Sequence, residues 1–204
     1  MNSATSQSNS SIPHSYARNF IRSRISIFRK DINICLKADS RGRHAYMPGL
    51  LACISLLELF SGLYKGSLYP IGLNGIIEYS KKFLDTNIYT EDRLSVLYLA
   101  FRHKIAHITQ PYGVFKTRDN RRITWKVAAG RRPLPIEIVD DVGTLYKEPP
   151  WPVTHSHRCI VSIYRLKVDI PKSALKTGGY LDFLKTDLDA QDNFKKCMLE
   201  YYKK

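Results

Sequence analysis

Leu94-Ser95-Val96-Leu97-Tyr98-Leu99-Ala100-Phe101-Arg102-His103-Lys104-Ile105-Ala106-His107 is an apolar run that turns abruptly basic. Thr90-Glu91-Asp92 precedes it, a threonine cap followed by two acids where the helix dipole favours negative charge. The pattern predicts a helix over about 91–109 that stops short of Pro111. Its end carries the spacing Arg-polar-x-x-x-His at 102–107, found nowhere else in the chain. An arginine stays charged and grips a phosphate with forked N–H groups, and a histidine moves a proton near neutral pH. Together they are the minimum set for breaking a phosphodiester without metal. At about 100° per residue on a straight helix, Arg102 and His107 point apart, but the long arginine bends into the same pocket. His103 and His107, four apart, share a face. His107 also lies in the last turn, where the negative end of the helix favours the imidazolium.

Outward from this run, the chain organises as helices and then strands. Phe20, Ile25, Phe28, Ile32 and Leu36 give residues 16–38 an amphipathic helical period, with Arg18, Arg22, Arg24, Arg29 and Lys30 on the outer face. A second helix runs from Tyr46 to Tyr64 and is apolar nearly all round, so it is expected in a core rather than a membrane. Glu58 is one of its few charges. Gly66 ends it, and a third helix follows over about 73–84. After Pro111 the period changes: Val114-Phe115, 123–127 and 159–168 read as strands, and Asp119-Asn120-Arg121-Arg122 as the turn between the first two. Gly130–Pro152, with five prolines, reads as mostly loop. Pro171 is expected to open a further helix broken by Gly178-Gly179, and a last helix spans about 190–202. The expected fold is therefore mainly α: a disordered tail (1–15), a helical bundle (16–110), and a small α+β extension (111–204) with a β-hairpin and C-terminal helices, packed on the bundle.

With 32 Lys+Arg against 18 Asp+Glu, the 204-residue chain carries a net charge of +14. Such a surplus repels itself unless a polyanion is close by, which makes nucleic acid the leading partner and an anionic membrane surface the second. Four scattered cysteines without a CxxC pair point to a reduced, cytoplasmic protein, with Cys35 and Cys53 expected as small buried hydrophobes. The Ser- and Asn-rich start lacks the apolar centre of a signal peptide.

A helical bundle whose main helix ends in Arg102-His103-x-x-x-His107 resembles the HEPN superfamily, helical domains that include many toxin and antiviral ribonucleases. The resemblance covers about residues 16–110, with Leu97–Phe101 leading into the motif and Pro111 following it. It implies metal-independent endoribonuclease activity in bacterial defence or a toxin–antitoxin system, with Arg102 and His107 catalytic and His103 orienting the site. Glu58 could face the same pocket as a supporting polar group. Members of the superfamily also bind without cutting, so a catalytically inactive RNA- or protein-binding module is the alternative. No cofactor and no metal is implied, and an antitoxin is a possible partner. One arginine and two histidines are too few to act as base, acid and charge stabiliser at once. A two-fold homodimer would bring two sets around one cleft.

Other clusters carry less. Arg121, Arg122, Arg131 and Arg132 with Trp125 form a basic, aromatic group around the hairpin, a composition suited to RNA through phosphate charge and base stacking. His155-x-His157-x-Cys159 alternates at strand spacing as a partial zinc set without an obvious fourth ligand, and Asp140-Asp141 reads as solvated acids.

Overall fold

The computed structural model describes residues 13–69, 71–102, 113–128, 130–145 and 153–203. The fold is mainly α with one small mixed sheet. Helix α1 (His14–Leu36) buries Ala17, Phe20, Ile21, Ile25, Phe28, Ile32 and Leu36 along one stripe. Helix α2 (Tyr46–Lys65) is apolar on most sides because it is packed on most sides, by α1, by α3 (Gly72–Phe83) and by two C-terminal helices. It is the one described helix long and apolar enough to cross a bilayer, yet 56% of its apolar window is buried inside the fold. Gly66 ends it in the left-handed region at φ 80°, where a side chain is strained and where a Cβ would lie 2.5 Å from Asn193 Oδ1.

Helix α4 (Glu91–Leu97) starts at Thr90, whose side-chain oxygen accepts from the Arg93 N–H at 3.3 Å. It does not continue as an α-helix. Tyr98–Arg102 forms a π-helical turn, so the angular spacing expected of a straight helix fails before Arg102 is reached. The expected continuation to about 109 lies outside the described residues.

The sheet has the order β1-β2-β4-β3. Strands β1 (Phe115–Lys116) and β2 (Arg122–Val127) pair antiparallel across the expected turn, with Asn120 at φ 67°. Strand β4 (Thr154–Val161) lies between β2, to which it is parallel, and β3 (Ile136–Thr144), to which it is antiparallel. Two expectations need correction here. Part of the supposed loop Gly130–Pro152 is strand β3; its Ile136 and Ile138 face inward, but the bulge between Asp140 and Gly143 breaks the alternation that announces a strand. The strand expected over 159–168 stops at Val161. Ser162 then caps helix α5 (Ile163–Leu175) by accepting from the Arg165 N–H at 3.3 Å. Ile163, Leu166, Ile170 and Ala174 make one buried helical stripe. Pro171 lies inside this helix rather than opening one, omitting a single backbone bond.

Helices α6 (Tyr180–Thr186) and α7 (Leu188–Tyr202) close the chain. They share one continuous core with α1–α4. Tyr64, Tyr79, Phe83, Tyr180 and Phe183 pack edge to face or tilted, with centroids 4.9 to 6.4 Å apart. The fully buried Tyr79 hydroxyl lies 2.9 Å from Ser173 Oγ, joining α3 to α5. Phe20 of α1 meets Phe194 of α7 at 5.9 Å. All four cysteines are free; Cys53 is buried as expected, whereas Cys35 is only partly covered because it sits on the rim of the α1 stripe.

Candidate functional site

Arg102 ends the π turn and meets Glu58 on α2. Its Nε donates to both carboxylate oxygens, at 2.8 and 2.9 Å. The pair is half-sheltered, with the arginine side chain 27% and the glutamate 14% exposed. An acid in the middle of an apolar helix costs desolvation unless it is partnered, and Arg102 is its partner. The pair lines an open cleft of about 380 Å³, walled by Ser55, Leu59, Tyr69, Tyr98 and Tyr201 among others. Ser55, Glu58 and Leu59 are one α2 face at helical spacing. The Tyr98 phenol is held above its usual range, first by burial and then by the negative charge of Glu58. Tyr201 accepts a hydrogen bond from Arg24 Nη2 at 2.9 Å, which fixes its ring at the edge of the cleft.

The arrangement can orient a guanidinium toward an anion and offer tyrosine hydroxyls as further hydrogen-bond donors. Arg102 and Glu58, two of the expected site residues, are therefore together. His103 and His107 lie outside the described residues. Tyr98 and Tyr201 were missed by the sequence reading. Tyr98 was within reach of it, since it precedes Arg102 by four positions on the same helix.

The basic hairpin group does not form one surface. Arg121 is tied to Asp92, at 2.5 Å, and to Asp119, at 2.7 Å, and these contacts raise its already high pKa. Arg132 pairs with Glu137 at 2.5 Å. Trp125 packs its ring edge to face on Phe101, centroids 5.8 Å apart, and so belongs to the sheet–helix contact. Arg122 and Arg131 are exposed.

His155, His157 and Cys159 do lie on one strand, but each has its own surroundings. His155 is buried, its Nε2 3.2 Å from Asp141 Oδ2, with Gly143 packed against the ring. His157 Nδ1 lies 2.8 Å from Ser156 Oγ. Cys159 is buried in the core, and burial pushes its thiol up to about 12. Among the described residues no three His, Cys, Asp or Glu side chains gather as a metal site.

Comparison with family models, with curated proteins and with solved structures returns no match.

Proposed function

We propose that this chain is a metal-independent endoribonuclease built on a HEPN-like helical bundle. The observation that carries the proposal is the Glu58–Arg102 pair, held in an open cleft on a π-helical turn. Interruptions of this kind recur at functional sites. A carboxylate that binds Nε fixes the plane of the guanidinium, the condition for a directed contact with phosphate. The chain's net charge of +14 draws a polyanion to it.

In this reading the RNA 2′-oxygen attacks the adjacent phosphorus and the bond to the 5′-oxygen breaks. Arg102 takes up charge on the phosphate oxygens. His107 accepts the 2′-hydroxyl proton, and the same group of a second copy delivers a proton to the leaving 5′-oxygen. His103 orients the site, and Arg122 and Arg131 offer further phosphate contacts. The chain works as a two-fold dimer, in the cytoplasm, with an antitoxin as its natural restraint. A second reading, an RNA-binding module that does not cut, is favoured by Arg102 being already neutralised by Glu58. Incubating RNA with the protein in EDTA separates the two: new ends appear only under the first.

A further inference from the structure

We propose that the groove between α1 and α5 is a track for the sugar–phosphate backbone of single-stranded RNA. The proposal rests on the RNA-directed reading above and names where that RNA lies. On α1, Arg18, Arg22, Ser26, Arg29 and Asn33 recur at helical spacing and are all exposed. They form a stripe roughly 22 Å long, from 1.5 Å of rise per residue. Arg29 and Asn33 of this stripe line the groove, and on the facing wall stand Lys167 and Lys172 of α5 and Lys176 just past its end. The groove between them encloses about 570 Å³, and among the described residues no carboxylate lines it. This separates it from other basic positions: Arg102, Arg121, Arg132 and Arg165 are each paired with a carboxylate. Asp169, the acid nearest to Lys172 along α5, is turned to Arg165 and the Tyr89 hydroxyl.

The chemistry of the groove narrows the ligand. Ile32, Val168 and Leu175 make an aliphatic floor, Val168 53% and Leu175 36% exposed, against which riboses and base faces can lie. Among the described residues no aromatic side chain lines it, so they offer bases no stacking platform, and Asn33 is the one amide. Such a groove reads charge and not sequence. Cations repeating along two walls fit a polymer with one charge per unit better than a peptide whose acids are irregularly placed.

The test is fluorescence anisotropy with labelled single-stranded RNAs of mixed sequence, across a salt series. The double variant Lys172→Gln/Lys176→Gln removes two phosphate contacts. The log–log salt slope should become shallower by about 1.4, so that with the two lines meeting at 1 M the variant binds about 25-fold more weakly than the wild type at 0.1 M salt. The loss should be equal for all sequences. Lys196→Gln/Lys203→Gln, exposed on the last helix and beyond it, should leave both unchanged. Wild-type binding with an unaltered slope in Lys172→Gln/Lys176→Gln overturns the track while leaving the RNA reading standing. Failure of the wild type to bind RNA at low salt overturns the reading itself. Poly-glutamate competing as well as RNA of equal charge would make the groove a site for an acidic protein segment and overturn the track.

Discussion

Arg102→Ala removes the partner of a carboxylate that is only 14% exposed. A fully exposed ion pair contributes at most about 1 kcal/mol. Removing one partner of a fully buried pair costs about 3–5 kcal/mol, because the other charge is stranded. With the side chains 27% and 14% exposed, Glu58–Arg102 lies between these limits, and about 2 kcal/mol is expected. In a chain of 204 residues this lowers Tm by roughly 4–8 °C. Glu58→Gln keeps the shape and one acceptor for Nε and should cost about 1 kcal/mol. Adding Glu58→Gln to Arg102→Ala should cost little more, since the stranded charge is gone; the cycle closes with a coupling of about 1 kcal/mol. Urea unfolding of the four proteins measures it. Additive losses would refute the argument that Arg102 is held by Glu58. Arg102→Lys separates stability from chemistry: it keeps a cation for Glu58 but not the planar fork, so it should retain most of the stability and lose RNA cleavage.

Two glycines make a paired test of the backbone. Gly42→Ala has open space around it and carries only the strain of φ 72°, about 1 kcal/mol. Gly66→Ala adds displacement of Asn193, which donates to Tyr64 O at 2.9 Å, so its midpoint in urea should fall clearly below that of Gly42→Ala. Thiol titration with a chromogenic disulfide should find Cys35 reacting in the native protein, while Cys53, Cys159 and Cys197, their thiols pushed up by burial, react only on unfolding. Asp119 is held below the usual carboxylate range, chiefly by the Thr117 hydroxyl and then by Arg121. Because its folded pKa is depressed, its contribution is present above about pH 4 and is lost as pH falls through the folded value. Protection of the 117–121 amides, corrected for the intrinsic pH dependence of exchange, should therefore fall in acid, and equal protection in Asp119→Asn and the wild type at neutral pH would contradict this.

The helices were legible because burial on one side leaves a period in the sequence. The stripes of α1 and α3 gave their elements within two residues, and the Thr90 cap gave the start of α4. The near-continuous apolarity of α2 announced a helix surrounded by others. What escaped was set by tertiary pairing. Ile163 continues the apolar alternation of Cys159 and Val161, and only the Ser162 cap marks where strand becomes helix. Strand β3 is an edge strand with a bulge, so half its residues carry no signal. At the site, Glu58 was conspicuous as a charge in an apolar helix and was expected to face the pocket as a supporting polar group; its ion pair with Arg102 was not legible, because it is made across 44 residues of chain. The π turn was not legible, because it inserts no residue type of its own. The hairpin arginines were counted as a surface patch, but Asp92 and Glu137, distant or unremarked in sequence, hold two of them.

In the proposed mechanism Arg102 and His107 cut RNA without metal. The most direct measurement is cleavage of a structured RNA in EDTA by the wild type beside His107→Ala, both checked for equal urea midpoints. The wild type is expected to cleave and to leave ends bearing 2′,3′-cyclic phosphate, and His107→Ala is expected not to cleave. An equally stable His107→Ala that cuts at the wild-type rate, or a wild type that leaves the RNA whole, would contradict it.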